Sequence, residues 1–295
     1  GKTQTKQTVS DLLSSLPVYL DYENALRIVG AGANSTPVCE ALLAEVRTYN
    51  AILGRIKSDC DCLVRMLTGA TNELLDESSG RWSVLLAALQ QNTVPKRWAE
   101  GGAQETRPCV RTIRLSLADW MLQLRERVRY LRRWTETGQL PAEIVLGRFN
   151  DPRRFLNGVL QHHAQVYRVP FEDLRWDVTI FNTNKPLERI AIQDGFIAWG
   201  LLLENGSWDW EKQTLAVPDI LEMTCPMPPV AFRPVRRAGS VAMGAAETFA
   251  PYQCPVFYSS ERSEDSFVLS LPLPVGEQRD AQGWNMFNTA LLLND

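Results

Sequence analysis

Histidine is almost missing from this sequence: two residues in 295, side by side at His162 and His163. Neighbours on a helix point about 100° apart, so the two rings cannot share one metal ion. A Ser-His-acid set could use one of them, yet no Gly-x-Ser-x-Gly elbow exists to present the serine. Cysteine is scarce too, at six residues. With no secretory leader these are expected as reduced thiols. Cys60-x-Cys62 lacks the two-residue gap of a zinc knuckle and no second pair answers it, so no metal centre is expected. No apolar run approaches the ~20 residues a membrane span needs. Gly1-Lys2-Thr3 looks like the end of a phosphate loop, but the glycine turn and strand that loop requires are missing. A net charge of -3 favours neither nucleic acid nor an anionic membrane as the main partner.

What is present speaks for packed cores. The apolar fraction is 45%, with nine tryptophans, and 295 residues suffice for one large domain or two ordinary ones. Charge is uneven. About 18 basic and about 15 acidic residues precede Pro141, roughly +3, which leaves roughly -6 for the rest.

Everything turns on the stretch from Pro141 to Tyr167. Before it apolar residues recur every three or four positions; after it they alternate. It reads as a short strand at 143–146, a turn at Gly147 and a helix. Asp151 can accept the free amides of the first turn, and Pro152 sits where a missing donor costs nothing. Phe155, Leu156, Val159, Leu160, His163 and Val166 form one apolar stripe that must be buried.

Toward the N-terminus, the first ten residues are polar and expected to be loose, with Leu12, Leu13, Leu16 and Leu20 marking a short helix or docking arm. Residues 30–35 read as a loop. Thr36-Pro37 then opens the longest helix. Cys39, Leu42, Val46, Tyr49, Leu53, Ile56, Cys60, Leu63, Leu67, Ala70 and Leu74 follow a 3,4 spacing, a seam that predicts a helix of ~55 Å. Trp82, Leu85, Leu86 and Leu89 mark a shorter helix ended by Val94-Pro95, and 100–108 a polar loop. Ser116-x-x-Asp119 resembles a capping box for a helix buried through Leu117, Trp120, Leu124, Val128, Leu131 and Trp134. Its other face carries Arg125, Arg127, Arg129, Arg132 and Arg133. Such a run is ordinarily a solvated face. Its sharper reading is a contact for an acidic partner, since arginine forks grip carboxylates.

Beyond Tyr167, strands are expected at 174–180, 187–192, 196–203, 214–217 and 230–235, and again around Tyr252, Phe267 and Leu291. Asn182 to Pro186, Gln193-Asp194-Gly195 and Asn205-Gly206 supply turns. Residues 237–251, rich in alanine and glycine, look mobile. Six to eight short strands suggest a small barrel or a sandwich. Glu264-Asp265 falls in a loop of mixed charge, where solvation accounts for it. The residues alone show a two-part protein with no evident active site.

Several motifs, in order across 37–295, resemble the C-terminal domain of dynein heavy chains, the axonemal ones above all. EVRTYNAIL at 45–53 is similar to the start of that family's long helix, and TVPKRW at 93–98 to its Val-Pro-x-x-Trp stop. LGRFNDPRRFLNGVLQHH at 146–163 resembles its Gly-x-Phe-x-Pro signature. DGFIAWGLLLENGSW at 194–208 resembles its Asp-Gly…Gly-Leu-x-Leu-Glu-Gly pattern, with Asn205 in place of a glycine. Met227-Pro228-Pro229-Val230 and YQCPVFYSSER at 252–262 echo further pieces. Trp199 stands where a histidine is common, the loop after Arg262 is short, and the first 35 residues match poorly.

The resemblance implies an α+β architecture. Residues 1–140 would form a helical bundle with one very long helix, 141–168 a connecting strand and helix, and 169–295 a small antiparallel β-barrel. It implies a non-catalytic cap on a ring of AAA+ ATPase modules of the same heavy chain, tuning processivity, force and ATPase coupling. Microtubules would be met only indirectly, and other dynein complex subunits are possible partners; nucleic acid and membrane are not. No cofactor is expected in this chain, ATP and Mg being bound elsewhere in the heavy chain. The implied place is the cytoskeleton of a cilium or flagellum. The residue-level readings set beside this are a free-standing adaptor using Arg125, Arg129, Arg132 and Arg133, and a hydrolase with a site near His162 and His163.

Overall fold

A computed structural model describes residues 2–29, 35–69, 79–99, 115–141, 143–181, 190–218, 223–237, 250–258, 262–277 and 279–294. The protein divides into two compact units, one of 1–33 with 43–140, the other of 34–42 with 141–295.

The first unit is helical. α1 (Lys2–Ser15) begins where a loose segment was expected, because Thr5 and Val9, four residues apart, are both buried. Gln90 donates to the Thr5 hydroxyl at 3.3 Å. α2 (Tyr22–Val29) has no apolar repeat long enough to announce it; its signal is Asp21, whose carboxylate accepts the Asn24 amide at 2.9 Å.

α3 (Pro37–Leu67) starts at the expected place, the Thr36 hydroxyl accepting the Cys39 amide at 3.3 Å. Leu42, Val46, Tyr49, Leu53, Ile56, Cys60 and Leu63 of its seam are buried. The helix is 31 residues, ~46 Å, and does not extend as one very long element to Leu74. Thr68 and Gly69, the latter at φ 74°, turn the backbone out of the helix. Ala70 and Leu74 lie outside the described residues, as do almost all of 30–35 and all of 100–108. α4 (Ser79–Gln90) buries Trp82, Leu85 and Leu89, and α5 (Lys96–Ala99) buries Trp98 against Trp120, ring centroids 6.4 Å apart.

α6 (Leu117–Thr137) is capped by Ser116, which accepts the Asp119 amide at 3.1 Å and donates to its carboxylate at 2.6 Å. Gly138, at φ 68°, closes its end. α2 packs along it, with Asn24 donating to the Thr135 carbonyl at 2.8 Å.

The second unit mixes sheet and helix. β1 (Ile144–Val145) leads through a tight turn to α7 (Pro152–Tyr167), whose Asp151 cap accepts the Arg154 amide at 3.2 Å. Gly158 lets α7 approach Pro37 closely: a Cβ there would sit 2.9 Å from the Pro37 carbonyl oxygen. Phe155, Leu156 and Val159 are buried, and burial fades toward Val166, which is 49% exposed.

The strands that follow are β2 (Leu174–Ile180), β3 (Phe196–Trp199), β4 (Leu201–Glu204), β5 (Ser207–Asp209), β6 (Thr214–Ala216), β7 (Thr224–Pro226), β8 (Val230–Arg236), β9 (Tyr252–Phe257), β10 (Phe267–Leu273) and β11 (Ala290–Leu293), with the short α8 (Ala281–Met286) before the last. They make a four-stranded sheet β1-β3-β8-β2, a five-stranded sheet β10-β9-β11-β4-β7 and the hairpin β5-β6.

The described residues do not form the expected antiparallel barrel. Both larger sheets are mixed, β1·β3 and β11·β9 being parallel. Among the described residues neither sheet closes: β10 and β7 bound one, β1 and β2 the other. The physical reason lies at Gly200. Residues 196–203, which read as one central strand, break there at φ 73°, so β3 joins one sheet and β4 the other. The Asn294 amide bonds the Gly200 carbonyl at 2.7 Å and holds the break. Likewise β4 pairs with β11 and β7, and Asn205-Gly206 does not form a hairpin between β4 and β5. The expected turn at 182–186, most of the strand at 187–192 and most of 237–251 fall outside the described residues.

The core between α7 and the four-stranded sheet is aromatic. Phe149 stacks on Phe155 at 4.6 Å and Phe196 on Phe232 at 5.1 Å. Phe155 meets Phe196 edge-on at 5.4 Å, and Trp176 meets Phe196 and Phe232 edge-on at 5.8 and 5.7 Å.

Candidate functional site

Of the two histidines, His163 acts as a tie. His163 is half-buried on α7, and its Nδ1 lies 2.7 Å from the Gln193 carbonyl oxygen, which can only accept, so Nδ1 is the donor. One turn on, the Tyr167 hydroxyl donates to Asp194, and the two rings lie 4.5 Å apart. Burial, then the adjacent His163, lower the His162 pKa below 6.5. The hydrogen bond to Asp194 raises that of Tyr167 above 10.0. The effect is to fasten the turn 192–194 to the end of α7. That turn leads into Gly195, at φ 124°, where a Cβ would come within 2.0 Å of the Phe232 carbonyl oxygen.

Five cysteines are described, all free thiols. Burial, with help from Asp59 and Asp61, pushes Cys60 up to about 12, and burial pushes Cys254 up to about 12. Both are therefore protonated and unreactive at neutral pH. No group of three or more metal-ligating side chains occurs among the described residues, and no described helix is long and apolar enough to cross a membrane. Glu264 and Asp265 are exposed in a turn capped by Ser263.

Two charged networks brace the units from within. In the first unit Asp59, 1% exposed, accepts Arg81 at 2.9 Å, Arg97 at 2.8 Å and the Trp98 indole N–H at 2.9 Å, joining α3, α4 and α5. In the second, Arg262 donates through Nε to Glu204 at 3.1 Å and through Nη1 to the Asn288 carbonyl. Beside it the Tyr252 hydroxyl donates to the Thr289 carbonyl at 2.6 Å, and burial raises that phenol to about 12. Asp59 was legible in principle, for it falls on the buried spacing Ile52, Ile56, Asp59, Leu63.

The arginine face of α6 is not uniform. Arg125, Arg129 and Arg133 are exposed, whereas Arg127 is 2% exposed and belongs to the buried stripe. Its spacing already places it there, three residues after Leu124 and four before Leu131. Arg132 is half-buried and donates to the Val18 carbonyl at 2.6 Å. Arg129 pairs with Glu126 at 2.5 Å. The exposed row is flanked by Leu122, 50% exposed, and by Val18, 73% exposed.

Comparison with known proteins supplies what this geometry lacks. A family model describing the C-terminal domain of the dynein heavy chain matches residues 1–293, so the likeness reaches into the first 35 residues as well. The sequence is 29% identical over 289 residues to the Dynein-1-beta heavy chain, flagellar inner arm I1 complex, of Chlamydomonas reinhardtii, covering 97% of this protein and 6% of that one. It is 25% identical over 301 residues to Dynein axonemal heavy chain 2 of Homo sapiens, covering 100% and 6%. It is 27% identical over 290 residues to Dynein axonemal heavy chain 11 of Sus scrofa, covering 98% and 6%. The 295 residues thus span 6% of the length of these relatives.

Proposed function

This protein belongs to the family of C-terminal domains of dynein heavy chains, and from that premise we propose that it is the non-catalytic cap of a dynein motor. As a piece of an axonemal dynein heavy chain its place is the cytoskeleton of a cilium or flagellum. In this reading it lies against the AAA+ ring modules of the same heavy chain and meets microtubules only through them. ATP and Mg bind elsewhere in the heavy chain. The cap alters how far the motor runs, how hard it pulls and how tightly ATP turnover is coupled to movement. A domain without chemistry of its own can do this by stabilising one arrangement of the ring over another.

The observation that carries the reading is the extent of the family match, which includes both units. The internal networks support it. Charged residues that could have served chemistry, Asp59 and Glu204 among them, instead hold elements in place. Such stiffness is what a lever or brace requires.

The test removes the 295 residues from the intact heavy chain and measures run length, stall force and ATP turnover. Changed run length or stall force with turnover still measurable is the expected result. Unchanged mechanics, or complete loss of hydrolysis, overturns the reading. So does saturable micromolar ATP binding by the isolated 295 residues.

A further inference from the structure

We propose that the outer face of α6 is a docking surface for an acidic helical segment of a protein partner. This rests on the reading that the protein works through contacts, and it names one of them. Arg125, Arg129 and Arg133 recur every four residues, so they form a single row whose Cα atoms step about 6 Å along the helix. All three are exposed. The side chains of Arg125 and Arg133 make no hydrogen bond or ion pair among the described residues, and one carboxylate, Glu126, serves the row through Arg129.

Like charges four apart weaken a helix, so two such neighbours in line are not what folding alone selects. The flanking arginines have other tasks: Arg127 is interior and Arg132 is committed to the Val18 carbonyl. The structure therefore leaves three of the five arginines facing outward in register.

The surroundings specify the occupant. Leu122 stands one turn before Arg125, and Val18 stands beside Arg132 near the other end; both are exposed apolar side chains. A partner helix carrying carboxylates at i, i+4 and i+8, with an apolar residue toward each end, matches charge and anchors together. Arginine rather than lysine suits this, because its planar fork takes a carboxylate through two parallel hydrogen bonds. A bilayer would call for a broader apolar face than two separated side chains, and single-stranded nucleic acid for aromatic platforms that the row lacks.

The test uses the 295-residue protein and a fluorescein-labelled helical peptide with glutamates at i, i+4 and i+8 between two leucines. Fluorescence anisotropy compares it with a peptide of the same composition and shuffled glutamates. Phosphatidylserine vesicles and a single-stranded oligonucleotide serve as competing anions. The in-register peptide should bind about tenfold tighter than the shuffled one, and R125Q/R129Q/R133Q should lose about tenfold while its melting temperature holds or rises. Should the triple variant not fold, R129Q alone should weaken binding about threefold. Equal binding of both peptides, an unaffected variant, or tighter binding of vesicles or oligonucleotide overturns the proposal. Absence of in-register peptide binding by the unaltered protein, alongside altered motor output on removing the 295 residues, refutes the docking row and leaves the cap intact. The reverse pattern refutes the cap and keeps the row.

Discussion

Replacing Asp59 by alanine should destabilise the first unit by about 3 kcal/mol. Asp59 is 1% exposed and accepts three hydrogen bonds. The Trp98 indole is fully buried, so its stranded N–H costs ~1–3 kcal/mol. The Arg81 and Arg97 side chains are 48% and 44% exposed, and water takes back most of what they lose. Screened in that way, each contributes ~0.5 kcal/mol. The indole therefore dominates, and a double-mutant cycle can isolate it. Trp98→Phe removes the donor, so Asp59→Ala in that background should cost only about 1 kcal/mol, a coupling of about 2 kcal/mol. Guanidinium unfolding followed by helical circular dichroism reads all four proteins. A loss below about 1 kcal/mol for Asp59→Ala, or equal losses in both backgrounds, would refute the reasoning.

Other expectations concern the second unit and the thiols. Gly195→Ala would drive a Cβ to within 2.0 Å of the Phe232 carbonyl oxygen at a φ of 124°; this should cost at least ~3 kcal/mol and show as lost near-ultraviolet dichroism from the aromatic cluster. Phe196→Ala opens a cavity among Phe155, Trp176 and Phe232 and should cost about 4 kcal/mol, read from the denaturation midpoint. Cys60 and Cys254 are both raised from 9.0 to about 12, so their contribution is fully present below pH 9 and is lost as pH rises from there toward 12. Each thiol should add a slope of about 1.4 kcal/mol per pH unit in that window, and Cys60→Ala should flatten the alkaline limb by one such increment. Native protein at pH 8 should leave both thiols unlabelled by a maleimide, and rapid labelling would contradict their burial.

Periodicity alone determined a good deal. The start of α7 at Asp151-Pro152, the buried seam of α3 from Leu42 to Leu63, the capping of α6 by Ser116 and the alternation of β2 are local signals, carried by residues within a turn or two of each other. The family resemblance was equally legible, because its motifs keep their order along the sequence.

Tertiary structure decided what local spacing cannot express. Alternation says which side chains share a face but not which strand lies alongside, so the parallel neighbours β11 and β9 and the two open sheets had to come from distant contacts. A single left-handed glycine, Gly200, divided one apparent strand between two sheets. Charge tells even less by itself. Five arginines on one helix read alike, yet packing placed Arg127 in the core, committed Arg132 to the Val18 carbonyl and left Arg125, Arg129 and Arg133 to the solvent. An arginine's surroundings are set by the elements that fold against it, and those lie far away in sequence.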